Sequence, residues 1–253
     1  MAKAKGLGEK TRKHRVKRDN RRSSTSETME PGLSVEEIIR RLEPLYGPAQ
    51  GPRQWDPISE LIFTILSQNT SDYNSERACA NLMAAFDSWE EMAYGDVGKI
   101  AAAIQIGGLA KIKAPRIQAV LRTIIEKRGP LNLSFLAEMP LKEAKEWLRQ
   151  LPGVGPKTAG CVLLFALNKP AMVVDTHVYR VSKRLGLVGP KVSADDSHEI
   201  LEELVPPQDV LPFHVYLITH GRRVCKAQRP LCPQCVLEDG CPSSLLRQPA
   251  QSH

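Results

Sequence analysis

Ten residues in the second half of the chain, LPGVGPKTAG at 151–160, combine a glycine turn with a lysine. Pro152 ends the helix predicted for the preceding segment, LKEAKEWLRQL. Gly153 and Gly155 can adopt positive φ and expose backbone N–H groups, and Pro156 suits the first turn of a following helix. Such a turn at a helix N-terminus binds anions such as phosphate. An ordinary connection between two helices, with a solvated lysine, is the alternative.

The lysine of this stretch, Lys157, stands at the start of the apolar segment TAGCVLLFALN. Desolvation at the mouth of an apolar helix disfavours the ammonium form, and nucleophilic Schiff-base chemistry requires a neutral amine. Lys157 is therefore a candidate nucleophile. Cys161 lies on the same helix and is predicted to be a core residue.

A carboxylate follows the apolar pair Val173-Val174, where a helix N-cap belongs. Capping is the conventional role for Asp175 at such a position. A carboxylate there could also face a sugar that develops positive charge during a reaction. His177 and Arg180 lie one turn apart on the helix that follows, and a structural hydrogen bond is favoured over catalysis for this histidine.

A polar run, SQNTSD at 67–72, ends the apolar helix predicted for ISELIFTILSQN. Its amide and hydroxyl groups could be directed at a nucleobase. Capping of the next helix explains Ser71 and Asp72 equally well, and the residue types favour capping.

Four cysteines near the C-terminus have the spacing C-x6-C-x2-C-x5-C. Zinc sites usually pair two close-set couples, and only Cys232 and Cys235 form such a couple here. Thiolates unevenly spaced in one loop favour a four-iron cluster. The four residues are Cys225, Cys232, Cys235 and Cys241, and the flanking basic residues are Arg222, Arg223, Lys226 and Arg229.

The segments that position these residues are all predicted to be helical. Ser34 and Glu37 form a capping-box pattern, and Asp56 with Pro57 marks another helix start. No stretch shows sustained period-two alternation or a paired hairpin signal, so the predicted fold class is all-α. The turn at 107–109 precedes Lys111 and Lys113 and is interpreted as a loop, with a second phosphate site as the alternative.

Most of the excess positive charge lies in an N-terminal arm. The chain of 253 residues has a net charge of +7. Residues 1–30 hold ten Lys/Arg and four Asp/Glu, a net charge of +6, which leaves +1 for residues 31–253. We expect a disordered basic arm that adds salt-sensitive DNA affinity, or a solvated tail without a role. Any nucleic-acid site on the folded body must come from local clustering of charge.

The longest apolar run, CVLLFAL, is far too short to cross a bilayer, and the N-terminus has no apolar signal-peptide core. Clustered cysteines indicate a metal site more than a disulfide framework. We therefore expect no membrane partner and an intracellular protein, which is cytoplasmic and nucleoid-associated, or nuclear in a eukaryote.

Three motifs together, LPGVGPKTAG, VVDTHVYRV and HGRRVC followed by the remaining cysteines, resemble the endonuclease III family. Members of that family are helix-hairpin-helix DNA glycosylases with associated AP-lyase activity. The resemblance covers roughly residues 34–242. It implies a monomer with two helical domains that flank a DNA-binding cleft. The helical-barrel domain would span 54–169, the iron–sulfur domain 31–53 with 170–245, and the arm 1–30.

The resemblance also assigns roles to individual residues. Lys157 would be the nucleophile and Asp175 its carboxylate partner, while a [4Fe–4S] cluster would shape a loop that contacts DNA. The cluster ligands would be Cys225, Cys232, Cys235 and Cys241. The DNA contacts would come from Gly153, Val154, Gly155, Gln68, Asn69, Arg222 and Lys226.

Three residues depart from the family pattern. Asn69 occupies a position where glutamine is common, which bears on substrate range, Pro156 replaces a common arginine, and Gly160 replaces a common asparagine. The sequence TAG is shared with the adenine-mismatch branch, but that branch usually has a hydroxyl residue at the position of Lys157, lacks the VDTH pattern and carries a further C-terminal domain. The lysine therefore favours the endonuclease III branch.

The predicted function is base excision repair: removal of oxidised pyrimidines from duplex DNA by base flipping and lysine Schiff-base chemistry, followed by β-elimination at the abasic site. A glycosylase of the same superfamily for mismatched thymine or uracil, or for oxidised purine, is one alternative. A non-catalytic DNA-binding iron–sulfur protein is another, and the presence of both Lys157 and Asp175 argues against it.

Overall fold

The computed structural model describes residues 32–49, 51 and 55–246, so the basic arm 1–30 lies outside the described residues. Within these ranges the chain is helical and contains no β-strand. The prediction of an all-α fold is therefore confirmed. No helix in the described part of the chain is both long enough and apolar enough to span a membrane.

Eleven α-helices are present in the described ranges. Short 3₁₀ turns occur at Gln105–Gly107, Ser134–Ala137, Pro207–Asp209, Cys232–Gln234 and Glu238–Gly240, and a π-helical turn at Val162–Ala166. The α-helices are α1 Val35–Tyr46, α2 Pro57–Ser67, α3 Asp72–Ala85, α4 Trp89–Tyr94, α5 Val97–Ala103, α6 Ala110–Arg128, α7 Leu141–Arg149, α8 Pro156–Cys161, α9 Thr176–Arg184, α10 Ser197–Leu204 and α11 Val210–Arg223.

The helix starts follow the capping chemistry of the sequence. The Asp56 carboxylate caps α2 with Pro57 in its first turn, and the Ser71 hydroxyl caps α3. Ser34 caps α1 as predicted, but its capping box is incomplete. The Glu37 carboxylate instead binds Arg40 and Arg41, because two guanidinium donors on the next turn attract it more strongly than one neutral N–H.

Two hydrophobic cores organise the chain. The first is built mainly from α2 to α8, and the second from α1, α9, α10 and α11. The segment 159–164 contributes to both cores, since Leu163 packs in the first and Leu164 in the second. The apolar segment TAGCVLLFALN was predicted to be one α-helix, but α8 ends at Cys161 and continues as the π-helical turn. This wider turn coincides with the point where consecutive residues enter different cores.

A buried lysine joins the last turn of α2 to the 3₁₀ turn that precedes α6. The ammonium of Lys113 donates to the carbonyls of Leu66, at 2.6 Å, and Gly107, at 3.0 Å. Burial lowers the pKa of Lys113. Lys113 is therefore occupied by backbone carbonyls inside the protein, and the alternative that it contributes to a second phosphate site is wrong.

We expect Lys113→Met to destabilise the fold by about 2 kcal/mol, because a buried carbonyl left without a donor costs about 1–3 kcal/mol. The exposed neighbour Lys111 provides the matched variant, Lys111→Met, whose effect should stay within about 0.5 kcal/mol. Urea unfolding followed by circular dichroism measures both. Equal effects of the two substitutions would contradict a structural role of the Lys113 ammonium.

Candidate active site

The turn between α7 and α8 uses its two glycines differently. Gly153 has φ +71°, in the left-handed region that favours glycine. Gly155 has φ −94° and ψ −177°, an extended conformation open to any residue. The expectation that both glycines supply positive φ is therefore wrong for Gly155. No described atom lies within 4 Å of a Cβ built on Gly155, so the space beside it is open.

Arg116 of α6 packs against this turn. A Cβ on Gly153 would lie 2.6 Å from Arg116 Nε, so only glycine lets the guanidinium approach this closely. The same guanidinium donates to Gln68 Oε1 at 3.0 Å, and Gln68 Nε2 donates to Thr158 Oγ1 of α8 at 3.5 Å. Arg116 thus links the hairpin to the polar run that follows α2.

The hairpin leaves backbone donors at the start of α8. The Val154 N–H donates to the Leu151 carbonyl at 3.1 Å and is used within the turn. Among the described residues, the N–H groups of Gly155, Lys157 and Thr158 have no backbone acceptor. These three donors, at the positive end of a helix, form the part of the hairpin that can bind an anion.

Lys157 is exposed, whereas desolvation was predicted. It occupies the second position of α8, and its side chain makes no ion pair with a carboxylate among the described residues. The apolar residues of α8 are buried behind it, because the helix turns its apolar face into the cores and leaves its first turn at the surface. In the free protein, water still reaches the ammonium.

Cys161, one turn further along α8, is buried as predicted. Burial raises the pKa of the Cys161 thiol to about 12, although the positive charge of Lys157 acts in the opposite direction. Cys161 therefore stays protonated at neutral pH and is a poor nucleophile.

Asp175 caps α9 with one carboxylate oxygen. Asp175 Oδ1 accepts from the His177 N–H at 2.8 Å and the Val178 N–H at 2.7 Å. Oδ2 has no hydrogen bond to a described residue. The capping role inferred from the sequence is confirmed, and the second oxygen is left free for another partner.

One cleft of about 1000 Å³, a volume that includes its open mouth, contains both Lys157 and Asp175. It lies between α2 and α8 of the first core and α11 of the second. The two candidate reactive residues thus share one opening. Its apolar wall is formed by Phe63, Phe165, Val173, Leu211, Val215 and Ile218, and its polar wall includes Glu60, Thr64, Ser67 and His214.

Of the residues predicted to contact DNA, Arg222 lines this cleft. Asn69 is exposed and has a left-handed φ of +55°, and Gln68 precedes it. Arg222 of α11 forms an ion pair with Asp72 of α3 at 2.9 Å, with both residues lining the cleft. Lys226 is exposed a few residues beyond α11. Their predicted DNA contacts remain predictions.

His177 is half-buried and packs against α11. Its Nδ1 lies 3.1 Å from Arg180 Nη2, and the Arg180 guanidinium also donates to the carbonyls of Gly221 and Cys225. Gly221 permits this packing, since a Cβ there would lie 2.9 Å from His177 Cβ. The structural role predicted for His177 agrees with these contacts.

The four C-terminal cysteines line a common cavity of about 340 Å³, a volume that includes its opening to solvent. Burial, and to a smaller extent the three neighbouring thiols, raises the pKa of Cys235 to about 11, so the four sulfurs lie close enough to influence one another. None of the six cysteines, all of which lie in the described ranges, forms a disulfide. Within the described ranges, no group of three or more His, Cys, Asp or Glu side chains is arranged to hold a single metal ion.

Basic and aromatic neighbours hold the shape of this cysteine loop. Arg184 at the end of α9 donates to Cys225 Sγ at 3.2 Å and to the carbonyls of Lys226 and Ala227. His220 Nε2 lies 3.4 Å from Cys235 Sγ. Cys225 and Cys235 thus have side-chain partners on α9 and α11.

Comparison with known proteins identifies the fold. Residues 62–207 match the model of the HhH-GPD superfamily base excision DNA repair proteins. Endonuclease III of Thermotoga maritima is 35% identical over 207 residues, which cover 82% of this chain and 92% of the relative. Endonuclease III of Escherichia coli K12 is 33% identical, covering 73% of this chain and 83% of the relative.

Among solved structures, a trapped covalent endonuclease III–DNA intermediate superposes with a TM-score of 0.72 at 29% identity, covering 85% of this chain and 99% of that one. The chain belongs to the HhH-GPD superfamily of base excision DNA repair proteins. Within it, the chain is an endonuclease III-type DNA glycosylase and AP lyase, and its partner is DNA.

Sequence reasoning missed two residues at or near the site of this glycosylase. Arg116 lies on an ordinary amphipathic helix, and no local pattern distinguishes it. His214 lies within the apolar helix α11 and lines the cleft while its Nδ1 donates to the Val173 carbonyl. Only the packing of α6 and α11 against distant segments reveals the two residues.

Gly153→Ala should destabilise the glycosylase by about 1–2 kcal/mol, the cost of a left-handed conformation for a residue with a Cβ, with a further loss from contact with Arg116. Gly155→Ala is the matched control. It should cost less than about 1 kcal/mol, the range of a changed N-cap. Thermal unfolding of both variants tests this, and a Gly155 effect as large as that of Gly153 would refute the assignment.

Proposed function

We propose that Lys157 is the nucleophile and Asp175 its carboxylate partner in the excision of damaged pyrimidines from duplex DNA. The observation that carries this assignment is the shared cleft: both side chains line the opening between the two cores. The substrate class follows from similarity to endonuclease III, and an extruded nucleoside would enter the cleft from its mouth.

The enzyme would first bind DNA through the phosphates. The backbone donors of Gly155, Lys157 and Thr158 would bind one phosphate at the N-terminus of α8. Arg222 and Lys226 would add positive charge beside the cleft, and Gln68 with Asn69 would occupy the gap left by the extruded base. Because Lys157 is exposed in the free protein, its desolvation would come from the bound DNA covering the cleft.

The chemistry would then proceed at C1′ of the extruded nucleotide. The amine lone pair of Lys157 bonds to C1′ while the glycosidic bond breaks, and the base leaves with that electron pair and takes up a proton. The free Oδ2 of Asp175 stabilises the positive charge that develops on the sugar and accepts the proton released by the amine.

Opening of the sugar ring gives a Schiff base between Lys157 and C1′. Loss of a proton from C2′ lets the C3′–O bond break, and the phosphate leaves with its electron pair on the 3′ side of the site. Water then hydrolyses the imine and frees the lysine. Each step uses only the lysine, the carboxylate, water and DNA.

The two hydrophobic cores support the proposed division into domains. In this division, a helical-barrel domain over 54–169 would contain most of the first core, and an iron–sulfur domain formed by 31–53 and 170–245 would contain most of the second. Arg41 supports the grouping of α1 with the C-terminal segment, since its guanidinium binds the Val236 carbonyl at 3.1 Å and the Asp239 carboxylate. With a function on DNA, the enzyme would be cytoplasmic and nucleoid-associated or, in a eukaryote, nuclear.

We further propose that Cys225, Cys232, Cys235 and Cys241 hold a [4Fe–4S] cluster. A shared cavity lined by four free thiols is the donor set that such a cluster requires. When bound, the cluster would cross-link the loop that carries the positive charges of Lys226 and Arg229. The excision steps need no electron transfer, so the cluster would act on the shape of the loop.

Borohydride trapping on an abasic-site duplex tests the nucleophile. The wild-type enzyme should form a covalent adduct with DNA, and Lys157→Ala should form none, because reduction fixes only an imine to the reacting amine. Lys142→Ala, which removes an exposed lysine on the preceding helix α7, should trap as well as wild type. An undiminished adduct with Lys157→Ala would refute the assignment.

The metal centre is tested by colour and iron content. Purified protein should be brown and contain about four iron atoms per chain, as a [4Fe–4S] cluster requires. Cys235→Ala should lose the colour and most of the iron, whereas Cys79→Ala, outside the cysteine cavity, should retain both. A colourless protein with one zinc per chain would contradict the proposed cluster.

A further inference from the structure

The chain that leads into Asp175 is an extended segment, residues 171–175, with no strand beside it in the described structure. Three consecutive residues of this segment have a backbone group bound by a side chain. The Met172 N–H donates to Glu202 Oε2 at 2.8 Å, His214 Nδ1 donates to the Val173 carbonyl at 2.8 Å, and the Val174 N–H donates to His198 Nε2 at 3.1 Å.

These bonds lie in the interior. Met172, Val173 and Val174 are at most 4% exposed, and so are cut off from water that could replace a lost partner. His198 is 5% exposed and His214 is 4% exposed. The backbone of the segment therefore depends on these side chains for its position.

The bonds fix His198 as a neutral imidazole and place a proton on Nδ1 of His214. His198 accepts the Val174 N–H through Nε2, so its proton is on Nδ1, which lies 3.1 Å from the Ala194 carbonyl. His214 donates through Nδ1 to a carbonyl, which can only accept. Burial lowers the pKa of both histidines and keeps them uncharged at neutral pH.

Glu202 ties the segment to the helix-hairpin-helix motif. Its carboxylate accepts the Met172 N–H and forms an ion pair with Lys145 of α7, in which the two side chains are 22% and 20% exposed. Helix α7 leads into the hairpin that presents Lys157. One carboxylate thus connects the elements that carry the two proposed reactive residues.

Successive side chains of the segment line two different cavities. Val173 and Asp175 line the DNA cleft, while Met172 lines a separate cavity with Lys145 and His198. A shift of the backbone at 172–174 would therefore move the Asp175 carboxylate within the cleft. The cap of α9 holds Oδ1, and the upstream bonds hold the backbone that leads into this side chain.

We propose that His198, His214 and Glu202 are positioning residues that hold the backbone of residues 172–174 and thereby aim the Asp175 carboxylate at the reacting sugar. The inference rests on the proposed role of Asp175. None of the three residues needs to touch DNA, because each acts through a backbone bond to the segment.

The test measures single-turnover strand cleavage of an abasic-site duplex by the full chain. His198→Leu should slow cleavage on the order of tenfold, since a displacement of about 1 Å can cost up to 10²-fold. Binding of a duplex with a tetrahydrofuran abasic analogue should change less than about twofold, since the phosphate contacts remain. His198→Gln, whose amide oxygen can accept the Val174 N–H, should recover most of the rate.

A matched control is Ser197→Ala on the same helix. Ser197 is buried, but its hydroxyl donates to the Ala194 carbonyl within the same turn and does not contact the segment. Its cleavage rate should equal that of wild type. If His198→Leu fails to fold, Glu202→Leu and Glu202→Gln provide the same comparison, because the amide retains an acceptor for the Met172 N–H.

Asp175→Asn separates failure of this inference from failure of the proposed function. The amide can still cap α9 but lacks the charge, so cleavage should fall by about 10²-fold. In that background, His198→Leu should slow cleavage no further. A full additional slowing in the double variant would overturn the positioning role. Normal cleavage by His198→Leu, while Asp175→Asn is impaired, would overturn it as well. Normal cleavage by Asp175→Asn would instead refute the proposed role of Asp175 itself.

Discussion

The chain must cross from one hydrophobic core to the other within about twenty residues, and this crossing determines where the active site lies. Leu163 enters the first core and Leu164 the second, with Lys157 before them and Asp175 after them. Since neither core can give up its buried residues without a large loss of free energy, both ends of the crossing are held at the boundary. A cleft at that boundary contains both side chains.

Much of this arrangement follows from local sequence patterns. The all-α fold and the caps at Asp56 and Asp175 depend on interactions within a few residues, which sequence records directly. The chemistry of the hairpin was also recognisable, although Gly155 does not use positive φ. Local pattern could place Lys157 at the start of a helix. The exposure of its side chain depends on how distant segments pack around it, and the predicted desolvation was wrong because Lys157 is exposed.

Long-range contacts account for what the sequence did not predict. The bond from Arg116 to Gln68 spans 48 residues, and the bond from His214 to Val173 spans 41. Lys113 has the pattern of a surface lysine beside a glycine turn, yet its ammonium is buried between two carbonyls. These contacts form only when helices that are distant in the chain pack together, and amino-acid composition does not reveal them.

Ion pairs on opposite sides of the crossing differ in how salt affects them. Arg222 and Asp72, at the mouth of the cleft, are 51% and 62% exposed, so dissolved ions screen their attraction. Lys145 and Glu202, behind the segment that ends at Asp175, are far less accessible, and the pair is shielded from those ions. Rising ionic strength therefore weakens the ion pair of Arg222 with Asp72 before that of Lys145 with Glu202.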